Sequence, residues 1–79
     1  MVRIKFEAPA TGQATINLYD FSMNLIRELD RGISVTKGQN YEAVWDGTDG
    51  QGRRVANGAV FYRIDVGGST TNGKLMLIN

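Results

Sequence analysis

Apolar and polar residues alternate with a period of two along most of the chain, and almost nowhere with the 3.6 of a helix. Val2, Ile4 and Phe6 interleave with Arg3, Lys5 and Glu7, the pattern of a half-buried strand. Pro9-Ala10-Thr11-Gly12 breaks it with a turn cluster. Ala14, Ile16 and Leu18 then alternate with Thr15, Asn17 and Tyr19 and predict a second strand that ends at Asp20. Leu25, Ile26 and Leu29 could line one helical stripe, but the run is short and uncapped, so Met23 to Leu29 reads as a strand. Asp30 to Asn40, with Gly32 and Gly38, reads as a loop holding at most a short edge piece.

The second half is more regular. Tyr41, Ala43 and Trp45 share one face of a strand. Arg54-Val55-Ala56 and Ala59-Val60-Phe61-Tyr62 flank Asn57-Gly58, a pair whose tolerance of positive φ predicts a two-residue hairpin. Val60, Tyr62, Ile64 and Val66 occupy one face, with Phe61, Arg63 and Asp65 on the other. Gly67-Gly68-Ser69 to Asn72-Gly73 reads as a further turn. Lys74-Leu75-Met76-Leu77-Ile78 closes the chain as a strand apolar on both sides, hence expected to be covered on both. The sum is about seven short strands at regular spacing. That pattern predicts an all-β, immunoglobulin-like (fibronectin III-like) antiparallel sandwich forming a single domain over residues 1–79.

Composition then narrows the chemistry. With 9 Lys+Arg against 8 Asp+Glu the net charge is +1, which gives no electrostatic footprint for nucleic acid. No apolar run approaches the ~18 residues of a membrane span, and Met1-Val2-Arg3-Ile4-Lys5 has no apolar stretch of the signal-peptide kind. There is no Cys and no His, so thiolate chemistry and the usual neutral-pH base are both missing. In 79 residues the large apolar side chains are needed for the core, leaving little chain for a pocket. The expectation is a protein that is not an enzyme and carries no cofactor.

The densest motif is Trp45-Asp46-Gly47-Thr48-Asp49-Gly50-Gln51-Gly52-Arg53-Arg54-Val55-Ala56-Asn57-Gly58. It resembles the signature of the immunoglobulin-like domain of the flagellar hook cap (FlgD) type, and of the related C-terminal sorting domains of type IX secretion cargo. Ile16-Asn17-Leu18-Tyr19-Asp20, Ile26-Arg27-Glu28-Leu29 and the closing Lys74–Ile78 segment extend the resemblance over nearly the whole chain. Met23 is a departure, since relatives place Gly there.

For the residues themselves a structural role comes first. Trp45 can cap one end of the core. Asp46 and Asp49 can accept backbone N–H bonds in Asx-turns, and Gly47 and Gly52 permit tight bends. With Asn57 and Gly58 they make a rigid sheet-to-sheet turn. Calcium on Asp46 and Asp49 is a weaker reading, because Thr48 and Gly50 stand where an EF-hand loop needs acids. Gly47, Gly50 and Gly52 are followed by a strand pattern, which removes the helix N-terminus of a phosphate cradle.

The resemblance implies a non-catalytic C-terminal sorting or attachment module of a larger secreted or cell-surface bacterial protein. Its partners would be the parent protein and the export machinery, or a neighbouring domain, with Lys74, Leu75, Met76, Leu77 and Ile78 as the recognised strand. Two alternatives stand beside it. One is a self-assembling scaffold of hook-cap type; the other is a carbohydrate-binding or adhesion module using Tyr19 or Phe61.

Overall fold

The computed structural model describes residues 1–78 and is all-β. Six strands follow in order: β1 (Val2–Glu7), β2 (Gly12–Tyr19), β3 (Leu25–Val35), β4 (Asn40–Trp45), β5 (Gly58–Val66) and β6 (Ser69–Leu77). Every pairing is antiparallel. β1 and β4 form a two-stranded sheet, which faces a four-stranded sheet of order β3-β2-β5-β6. The inward rows are those that alternation selects. Ile4 and Phe6 of β1, Ala14, Ile16 and Leu18 of β2, Ala43 and Trp45 of β4, and Val60, Ile64 and Val66 of β5 are all buried in one core. Apolar burial on this scale, at ~25 cal/mol per Å², is the main stabilising term in a domain without disulfides.

Six strands replace the expected seven because three stretches differ from the period-two reading. The Asp30–Asn40 loop is in fact half strand. β3 runs unbroken for 11 residues, and its register against β2 shifts at three places, so its apolar side chains fall out of strict alternation. Arg54-Val55-Ala56 is not a strand, and Asn57-Gly58 is not a hairpin. Arg54 makes an isolated bridge to Thr48, and the Val55 N–H donates to the Gly47 carbonyl at 2.8 Å. That segment therefore belongs to the loop before it, and Gly58 opens β5 opposite Leu77.

The third difference lies at β6. The hairpin into it uses only Gly67 and Gly68, with Val66 paired to Ser69 and positive φ (60°) at Gly67, as a II′ turn requires. Asn72 and Gly73 sit inside the strand rather than in a turn. Gly73 faces Tyr62 across the ladder, and the Tyr62 ring fills the space a side chain would take. Nor is the end of β6 covered on both faces: Leu77 is buried, whereas Met76 is 61% and Ile78 81% exposed.

The turn between β2 and β3 is built on Asp20, whose Oδ1 accepts the N–H groups of Ser22 and Asn24, both at 2.9 Å. It forces Met23 to φ 65°, and Met23 is the one non-glycine residue with positive φ among those described. An L-residue there costs ~1–2 kcal/mol, of which glycine's larger unfolded entropy returns part. Met23→Gly is expected to raise stability by ~0.5–1 kcal/mol, read as a higher urea midpoint at unchanged slope.

Candidate functional site

The signature block forms a closed corner between the two sheets. β4 carries Trp45 into the core, fully buried, and its indole N–H donates to the Thr48 carbonyl at 2.8 Å. This bond satisfies the one polar group of the ring and ties the core to the loop. Asp46 turns outward, where its Oδ1 accepts from the Thr48 hydroxyl at 2.6 Å and the Thr48 N–H at 3.1 Å. Gly47 follows with φ 84°, a bend that carries the chain back over the ring.

A second turn repeats the device. Asp49 Oδ1 accepts the N–H groups of Gln51 (2.9 Å) and Arg53 (3.0 Å), while Asp49 N–H donates to the Arg53 carbonyl at 2.7 Å. Gly52, at φ 81°, gives its N–H to the Asp49 carbonyl. The Arg53 side chain lies outside this turn, against Gln51 and 3.8 Å from the Asp49 carboxylate.

Sequence reasoning missed what anchors the corner to the opposite sheet. Arg27 of β3 reaches Asp46 at 3.2 Å and the Thr48 hydroxyl at 2.9 Å, both from Nη1. Beside it the Gly50 N–H donates to the Ile26 carbonyl at 3.1 Å. The only sequence signal was the Arg within Ile26-Arg27-Glu28-Leu29, and alternation alone gives no reason for it to turn toward the loop.

The acids of the corner are thus committed to internal donors. The Thr48 hydroxyl, then the Thr48 N–H and the Arg27 charge, hold the Asp46 carboxyl below its ordinary range. The Arg53 and Gln51 N–H groups do the same for Asp49, helped by the charges of Arg53 and Arg27. On the far sheet the Thr70 hydroxyl and Arg63 lower Asp65, and Arg31 lowers Glu28. Folded values lowered in this way add stability above the unfolded carboxylate pKa of ~4 and lose it as pH falls through the folded values. Urea midpoints are accordingly expected to be flat from pH 7 to ~5 and to fall below ~4. Asp46→Asn with Asp49→Asn should flatten that fall.

Beside the corner lies an open groove of about 680 Å³ lined by Phe21, Leu25, Val55 and the start of β5. The acids on its rim, Asp20 and Asp49, both close turns. Among the described residues no group of three or more His, Cys, Asp or Glu able to hold a metal occurs.

The other singled-out residues lie elsewhere. Tyr19 and Phe61 are cross-strand partners on the outer face of the four-stranded sheet, beside a 300 Å³ depression with Met23, Arg63 and Asn72. Lys74 to Leu77 form the end of β6, an outer strand of that sheet, with Ile78 just beyond. Gly58, the last residue of the signature block, pairs with Leu77 at the end of this strand. No helix of the described residues is long and apolar enough to cross a membrane.

Comparison with known proteins agrees with this architecture. No curated protein and no solved structure matches the chain. The FlgD Ig-like domain family matches residues 2–72, which takes in the corner, both sheets and the first part of β6. An all-β sandwich of two antiparallel sheets, closed by this corner and matched over nearly its full length, belongs to the FlgD Ig-like domain family, a family of non-catalytic structural domains.

Proposed function

We propose that the domain is a sorting or attachment module of a larger secreted or cell-surface bacterial protein, recognised by its export machinery or a neighbouring domain through β6. One observation supports the choice of strand: the two edges of the four-stranded sheet are built differently. β3 is guarded, with three register breaks and the charges of Arg27, Glu28, Asp30 and Arg31. β6 keeps an unbroken register against β5 for nine residues, and its one charge is Lys74. Its free edge can accept another strand through main-chain hydrogen bonds, with the exposed Met76 and Ile78 adding apolar contact.

The test is export of a reporter fused ahead of the domain in a bacterium with a type IX system. The fusion is expected at the cell surface or in the medium. Met76→Asp with Ile78→Asp, both at exposed positions, is expected to abolish export while circular dichroism shows an intact sandwich. Retention of the unmodified fusion, or export of the double variant, would overturn the reading. A scaffold role of hook-cap type is the second reading, favoured by family membership. It requires a defined oligomer of the isolated chain in native mass spectrometry, and a monomer there removes it.

A further inference from the structure

The two sheets do not match in width, and the mismatch lies on one side. β4 is tied to β3 at both ends. At one, the Thr36 N–H donates to the Tyr41 hydroxyl at 2.7 Å; at the other, Gly50 and Asp46 hold Ile26 and Arg27. With β4 over β3, its partner β1 lies toward β2 and β5, whose inward residues Ile16, Leu18, Val60 and Ile64 are at most 1% exposed. Most of β6 is left as an overhang, although Leu77 at its end faces the core and is buried. Its inward Ser69, Thr71, Gly73 and Leu75 are only half-buried, and the Tyr62 ring leans across Gly73 where side chains of a facing strand would otherwise pack.

Above that overhang runs the second edge of β1. Among the described residues β1 pairs with β4 alone, so the N–H and C=O groups pointing the other way have no strand to meet. A strand spacing of ~4.8 Å gives this shelf room for one added strand. It does not suit a second copy of the chain joined edge to edge, because that copy's own overhanging β6 would meet this one.

From this the geometry points to a strand-acceptor site along β1, distinct from the β6 edge, that takes a single extended segment of another polypeptide. The chemistry of the occupant follows from β1. Its inward row (Val2, Ile4, Phe6) asks for apolar residues at alternate positions of the guest. On the outward row Arg3 is 70% exposed and only loosely paired, 3.8 Å from Glu42, and Lys5 makes no ion pair among the described residues. The guest's outward residues beside Arg3 and Lys5 are therefore acidic, while Glu7, the last residue of the row, calls for none. Adding it brings the sheets to three over four, the strand number usual for this kind of sandwich.

The experiment uses the 79-residue chain, isotope-labelled for NMR, with acetyl-Val-Glu-Val-Glu-Val-Glu-Val-amide as probe and the same peptide with lysine for glutamate as its counterpart. The glutamate peptide is expected to slow exchange of the β1 amides that point away from β4 at least ~10-fold, since a ladder bond replaces water there. Lys5→Glu, on the solvent side of the strand, is expected to weaken that peptide about fivefold and to favour the lysine peptide instead. Absence of β1 protection at millimolar peptide would overturn the proposal. So would protection confined to β6, or a Lys5→Glu variant that binds both peptides as the parent does.

Discussion

Trp45→Ala is expected to leave the chain largely unfolded at room temperature. The whole domain has a stability of about 4–12 kcal/mol by its size, and emptying a fully buried Trp site costs ~3–5 kcal/mol. Two further losses follow, because Thr48 loses the indole donor that fixes its carbonyl and the corner loses the ring over which Gly47 bends. Trp45→Phe separates these terms: it refills most of the volume but cannot donate, so a loss of ~1–2 kcal/mol is expected from the missing bond and the smaller ring. Far-ultraviolet circular dichroism during urea unfolding reads both variants. In the parent chain Trp45 is the single tryptophan, so its fluorescence reports this corner alone. A Trp45→Ala protein that unfolds within ~1 kcal/mol of the parent would remove the corner from its place as keystone of the fold.

Gly73→Ala is the second large effect, and it runs against ordinary strand preference. Glycine in a strand interior is usually weakening, so alanine there should gain ~0.5–1 kcal/mol. Here the added Cβ would lie 2.1 Å from Cζ and the hydroxyl oxygen of Tyr62. The ring must then leave its bed against the core, and a loss of ~2–3 kcal/mol is expected, as for overpacking. A double-mutant cycle gives the decisive reading. In a Tyr62→Ala background, Gly73→Ala should become neutral or stabilising, a coupling of at least ~2 kcal/mol. Equal effects in the two backgrounds would show that the ring and the glycine do not share that space.

The same pair explains part of what alternation could not show. A glycine beside asparagine signals a turn by every local rule, and Asn72-Gly73 is read that way until Tyr62 is seen lying on it. Asn57-Gly58 misleads for the same reason. Its dipeptide fits a hairpin, but the upstream half is held by the corner, through Arg54 to Thr48 and Val55 to Gly47. In both cases a long-range contact overrides a short-range preference. Regular strands with one dry face were legible: β1, β2, β4 and β5 follow directly from their inward rows. β3 was half-legible, because each register shift moves the next apolar residue off the expected face. The two Asx-turns of the corner could be foreseen, since aspartate reaches its own backbone. The Arg27 anchor could not, because nothing local to Arg27 requires it.

The ladder pairings also set an order of events as the chain collapses. β5 meets β6 across two glycines, and β2 meets β3 across one short turn, so both hairpins can close early from neighbouring residues. Joining β2 to β5 and β1 to β4 unites opposite halves of the sequence, and these closures carry the larger entropy. A chain so dependent on distant pairings should refold in milliseconds to seconds. Substitutions in the Gly67-Gly68 reversal are then expected to slow refolding, whereas those in β1 mainly hasten unfolding.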